Sequence, residues 1–193
     1  MRERLHRLRR VLRDDDVRSI SRRYFVSNGF DGVLTGIGVV VGAYLSGVTD
    51  GFTVVKIGAG AAVGLSTSGV WSVWEIERAE RRAERRRTEQ AMLRDLEDTR
   101  IHRDERAARA VTATMSGIGP VIGTLVPVLP FLAVEGGLAP LSATLLAVAG
   151  GVALLFVFGA YMGSISGGVW YRAGVRMGAA GIVVALLNVV LPG

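Results

Sequence analysis

Charge in this 193-residue chain is confined to blocks, and that segregation limits its possible folds more than any other feature. All 22 arginines lie in residues 2–23, 78–109 or 172–176, and Lys56 is the one lysine. The stretches 32–49, 57–74, 110–134 and 136–171 carry no charge. A soluble domain spreads charged side chains along most of its length, because its whole surface meets water. Here 21% of residues are charged while mean hydropathy is +0.39. The apolar runs therefore need a solvent other than water, and we read an all-α integral membrane protein.

A spanning helix takes about 20 mostly apolar residues. Five segments meet that length: 28–48, 52–74, 110–134, 138–163 and 169–190. The turns between them fall at Thr49-Asp50-Gly51, at Glu135-Gly136-Gly137 and at the Gly/Ser stretch 163–168. The chain thus divides into an Arg-rich amphipathic helix over 1–27, transmembrane helices 1 and 2 over 28–74, a cytoplasmic helical extension over 75–109, and transmembrane helices 3 to 5 over 110–193. Cytoplasmic loops carry the Lys/Arg excess. That rule predicts a cytoplasmic N-terminus, a C-terminus outside, and Asp50 and Glu135 in the outer turns. Tyr24, Phe25, Trp71, Trp74, Trp170 and Tyr171 then form an inner aromatic belt, and Lys56 snorkels toward the outer surface. An Arg-rich start with no apolar signal core predicts an uncleaved chain in the cytoplasmic membrane of a prokaryote.

No cysteine is present, which excludes disulfide frameworks and thiolate metal sites. The net charge of +6 does not point to nucleic acid, because the arginines flank apolar segments as membrane topology requires. There is no Ser/His/Asp set, nucleotide loop or His cluster near a span, so neither catalysis nor a resident cofactor is expected. Small-xxx-small pairs at Gly32/Gly36, Gly38/Gly42, Gly60/Gly64, Gly119/Gly123 and Gly159/Gly163 predict close helix packing or a dimer. Pro120, Pro127 and Pro130 each remove a helical hydrogen bond from the third span. A broken helix at membrane depth is tolerated beside protein or a water-lined cavity, as in transporters.

Residues 75–109 hold eleven arginines against ten acids with no glycine or proline, a helical composition. Glu77, Glu80 and Glu84 stand at i, i+3 and i+7, which puts three carboxylates on one helical face. Such a face binds divalent cations; the same spacing also builds a plain solvated helix of Glu/Arg pairs, and spacing alone favours the plainer reading. His102 and Met92 could add ligands but make no metal spacing. Leu5, Leu8 and Leu12 among the N-terminal arginines suit a helix lying on anionic lipid, or one packed on the cytoplasmic helices. Asp31 is the one acid adjoining a span interior. A carboxylate deep in the bilayer costs about 2.5–3.5 kcal/mol, so it faces a cavity or a partner; alternatively Asp31 belongs to a capped, water-facing helix end.

The stretch 28–32, NGFDG, followed by LTGIGVVVGAYLSG, resembles the first-helix signature of the vacuolar iron transporter family. The later order is similar: GAGAAVGLSTSG running into an Arg/Glu-rich helix, then GPVIGTLVPVLPFL, then two plain spans. This resemblance implies a five-span homodimer that exchanges cytosolic Fe²⁺ or Mn²⁺ for protons along a path at the dimer interface. It implies that Asp31 is the pathway aspartate and that Glu77, Glu80 and Glu84 bind metal. The second helix departs from the family pattern of a Ser-Met pair with a Glu one turn on: Ser66 is followed here by Thr67, and Trp71 stands at the Glu position.

The leading expectation is a homodimeric divalent-cation transporter with Asp31 at its membrane entrance and Thr35, Ser66, Thr67 and Ser68 lending hydroxyls if the first two helices pack together. Hard oxygen ligands suit Fe²⁺ or Mn²⁺. The alternative is a non-transporting membrane scaffold whose Arg/Glu helices hold a partner or anionic lipid.

Overall fold

The structure, a computed structural model, describes residues 10–92 and 100–190. Five long helices make up the fold: α1 Asp15–Leu45, α2 Gly51–Met92, α3 Arg100–Val128, α4 Pro140–Ile165 and α5 Trp170–Val190. A 3₁₀ turn, Leu129–Ala133, ends α3. Each helix has a stretch long and apolar enough to cross a membrane, as the charge pattern requires.

Two helices outrun the bilayer. At 1.5 Å per residue, α1 is about 46 Å long and α2 about 63 Å, against about 30 Å of hydrocarbon. The extra length carries the charge. The helix α1 starts at Asp15, where the Asp14 side chain accepts from the Asp16 and Val17 amides, and passes unbroken through the 27/28 boundary expected from sequence. Likewise α2 runs straight from its span into the 75–109 segment, and Arg100 onward returns as α3. The sequence-predicted amphipathic helix over 1–27 is described only from residue 10; Leu5, Leu8 and the side chains of Met92 and His102 lie outside the described residues.

The core is the seam between α1 and α3, and it is built from glycine. Gly29, Gly32 and Gly36 of α1 face Gly119, Pro120, Gly123 and Thr124 of α3. A methyl at Gly32 would stand 2.8 Å from Pro120 Cα and O, and one at Gly36 would stand 2.9 Å from Thr124 O. Backbones this close leave no room for side chains, which is how helices bind one another when lipid supplies no hydrophobic drive. The Thr124 hydroxyl donates across the seam to Gly32 O at 3.1 Å. The α4–α5 pair repeats the device at Gly159 and Gly163, both pressed on Ala173. Gly42, Gly60 and Gly64, by contrast, have open space where a Cβ would go.

The prolines do not break the third span as expected. The α-helix α3 continues through Pro120 and Pro127, and only Pro130 coincides with the change to 3₁₀ geometry. The reason is local. Pro120 cannot donate to Ser116 O, and the Asn28 amide donates to that carbonyl instead at 3.3 Å, and to the Ser116 hydroxyl. Pro120 and Pro127 are fully buried against the glycines of α1, so they fill the seam rather than open a cavity.

Candidate functional site

Along its apolar stretch, α1 is buried on one side and open on the other. Val26, Gly29, Val33, Gly36, Ile37 and Val40 are buried, and they centre on the side of the helix opposite Asp31 at 100° per residue. Asp31 is exposed, and Thr35, Gly38 and Gly42 continue its face at i+4, i+7 and i+11. None of the hydrogen bonds or ion pairs among the described residues includes Asp31. It is therefore an unpartnered carboxylate one turn inside the level where α1, α2 and α3 meet, marked by Asn28, Gly69 and Ser116.

The second helix offers a matching surface. Because α2 runs antiparallel to α1, Ser66 and Thr67 lie three and two residues beyond Gly69, at the depth of Asp31. They do not share a face. Ser66 turns to α3, its hydroxyl against Gly117, whereas Thr67 is exposed with Gly60, Gly64 and Trp71 on one open stripe. Trp71 is 73% exposed. Of the expected pathway hydroxyls, then, Thr35 and Thr67 lie on the open faces and Ser66 is part of the α2–α3 contact.

At the charged end the three glutamates separate. Glu77 is 3% exposed, turned toward α3 on the same stripe as Val73, and its Oε2 takes an ion pair from Arg81 Nε at 3.3 Å. On α3, Arg109 is buried with its guanidinium 5.0 Å above the Trp74 ring. Glu80 and Glu84 are exposed, and Glu84 lines a crevice of about 480 Å³ with Arg81, Arg85 and Glu105. Among the described residues no three His, Asp or Glu side chains gather closely enough to hold a metal ion. Helical periodicity put Glu77, Glu80 and Glu84 side by side; packing of α2 on α3 buries the first and leaves the others in solvent.

The acids of the opposite end have a structural task that sequence reading missed. Asp50 Oδ2 accepts the Thr53 amide at 2.8 Å, and Glu135 Oε1 accepts the Gly51 amide at 3.1 Å, so both cap the start of α2. The Thr53 hydroxyl and amide hold the Asp50 carboxyl below the usual carboxylate range. The signal was present as Asp50 three residues ahead of Thr53, an N-cap spacing.

The sequence model of the VIT family matches residues 72–191, from the last part of the α2 span to the end of α5. An uncharacterized protein of Methanocaldococcus jannaschii is 29% identical over 168 residues, covering 86% of this chain and 85% of that protein.

Proposed function

This chain belongs to the VIT family of membrane metal-ion transporters, and from that premise we propose that it carries Fe²⁺ or Mn²⁺ out of the cytosol in exchange for protons, as a homodimer. The observation that carries the reading is Asp31, exposed and unpartnered on a membrane helix. A carboxylate turned to lipid costs about 2.5–3.5 kcal/mol on insertion scales. A second copy packed on the open faces of α1 and α2 removes that cost and brings two Asp31 side chains to one path. The small residues Gly42, Gly60 and Gly64 on those faces permit close approach.

Chemistry follows from the pair. Two carboxylates supply hard oxygen ligands that suit Fe²⁺ or Mn²⁺, and Thr35 and Thr67 add hydroxyl oxygens. When the cation leaves, two like charges at short range cannot both stay ionised, so a proton takes its place. Glu80 and Glu84, exposed at the end that we orient to the cytosol, offer further carboxylate oxygens to an incoming cation. With the arginines inside, the C-terminus lies outside the cytoplasmic membrane.

Two observations favour a non-transporting scaffold: Glu77 is tied to Arg81, and Thr67 and Trp71 stand where the family pattern has Met and Glu. Flux in liposomes decides between them. The purified protein should move Fe²⁺ or Mn²⁺ faster with an opposing pH gradient, and Asp31→Asn should cut the rate at least tenfold while remaining dimeric. A folded wild-type dimer that moves neither ion under any gradient would refute transport and leave the scaffold.

A further inference from the structure

Beyond the transport path, on another side of α1, a crevice of about 420 Å³ opens at the charged end. It lies between α1, α3 and α4. Arg18, Arg22, Phe25 and Gly29 form one stripe of α1 at i, i+4, i+7 and i+11. The lower half of that stripe is covered by α4, with Phe25 edge-on to Phe158 at 5.7 Å and Gly29 pressed against the same ring. The upper half is not covered, because α4 ends at Ile165 while α1 continues toward Asp15. Arg18 and Arg22 therefore overhang a slot walled by Phe25, Val111, Met115 and Tyr161.

The polar groups at the rim are unevenly satisfied. Behind the slot the Ser21 and Thr112 hydroxyls bond each other at 3.2 Å. Arg22 is only partly exposed, and no hydrogen bond or ion pair among the described residues includes it. Arg18 has a single long contact to Asp15, 3.7 Å, with both side chains mostly in solvent, an arrangement of little energetic weight. Two guanidiniums are thus available above an apolar slot at the membrane surface.

We propose that this crevice binds an anionic phospholipid, its phosphate held by Arg18 and Arg22 and the start of an acyl chain laid along Phe25, Val111 and Met115. Guanidinium forks match phosphate oxygens in pairs, and basic pockets between transmembrane helices are where anionic headgroups lodge. Charge complementarity selects the headgroup, while the apolar wall selects a lipid over a free anion. Binding there would clamp α1 to α3 and α4. It does not depend on the transport reading.

Native mass spectrometry of the full chain in zwitterionic micelles tests this, with phosphatidylglycerol, phosphatidylcholine and inorganic phosphate added separately. Phosphatidylglycerol should bind and raise the melting temperature, and phosphatidylcholine should bind at least tenfold more weakly. Arg22→Gln should weaken phosphatidylglycerol binding about fivefold and the Arg18→Gln/Arg22→Gln pair about 25-fold. Arg86→Gln, which removes an exposed charge elsewhere on α2, should leave it unchanged. Arg22→Lys keeps the charge but not the fork and should bind more tightly than Arg22→Gln and less tightly than wild type, which guards against reading a misfolded variant as a lost site. Equal binding of the two lipids, or an equal loss in Arg86→Gln, would overturn the proposal. Inorganic phosphate that protects as well as phosphatidylglycerol would show a simple anion site and overturn it too.

Discussion

Substituting Gly32 by alanine tests the glycine seam, and its effect can be worked from the contacts. The added methyl would sit 2.8 Å from both Cα and O of Pro120, and ordinary contact begins at 3.4 Å. The helices α1 and α3 would have to part by the difference, 3.4 − 2.8 = 0.6 Å. Neither target is a flexible side chain, so backbone must move. A gap of that size forfeits a quarter to a half of each dispersion contact along the seam, and overpacking of this kind costs about 1–3 kcal/mol. The Thr124 hydroxyl bond to Gly32 O stretches as well, worth about 0.6 kcal/mol between membrane helices. Against this stands alanine's better helix propensity, about 1 kcal/mol. The clash wins, by about 2 kcal/mol net. For a chain of this size the melting temperature should fall by about 4–8 °C, read by thermal denaturation of the detergent-solubilised protein with gel filtration. Gly150→Ala is the control, because a Cβ there meets nothing within 4 Å, and it should be neutral or slightly stabilising. Equal melting temperatures for the two variants would refute the seam.

Three further outcomes follow from single contacts. Asn28→Ala should cost about 0.6–1.7 kcal/mol by orphaning Ser116 O, and the cost should shrink in a Pro120→Ala background, where residue 120 can donate to that carbonyl; an unchanged cost there would refute the account. A Glu77→Gln/Arg81→Gln double-mutant cycle should return a coupling of about 1 kcal/mol, the upper end for an ion pair of this kind, since Glu77 is nearly enclosed and Arg81 partly so; a coupling near zero would mean that the pair contributes nothing. The Asp50 carboxyl titrates lower folded than unfolded, so the unfolded state binds the proton first as pH falls. Its stabilisation is complete above the unfolded value and is lost as pH drops through the folded one. Thermal melts from pH 6 to pH 3 should therefore converge for wild type and Thr53→Val at the acid end, and parallel curves would contradict the capping role.

Asp31 shows how far one chain can be read. Its composition context marks it as costly in lipid, and periodicity places Thr35, Gly38 and Gly42 on its face. That it is open, and that Thr67 is open while Ser66 is not, depended on which side of each helix α3 occupies. The glutamates teach the converse: i, i+3, i+7 spacing put three carboxylates together, and packing then withdrew Glu77 into an ion pair.

The number of spans and the separation of charged from apolar segments were determined by the sequence alone, because a bilayer allows one solution for backbone polar groups and reads hydropathy directly; where α1, α2 and α3 begin or end beyond the apolar runs was not. Helix partners were decided only by tertiary structure. Glycine pairs look alike along a sequence, yet Gly32 meets a proline backbone and Gly60 meets nothing. Pro120 reads as a break until Asn28, 92 residues earlier, supplies the missing donor. Lipid treats every apolar face equally, so which faces meet is settled by shape and by a few polar bonds between residues far apart in the chain.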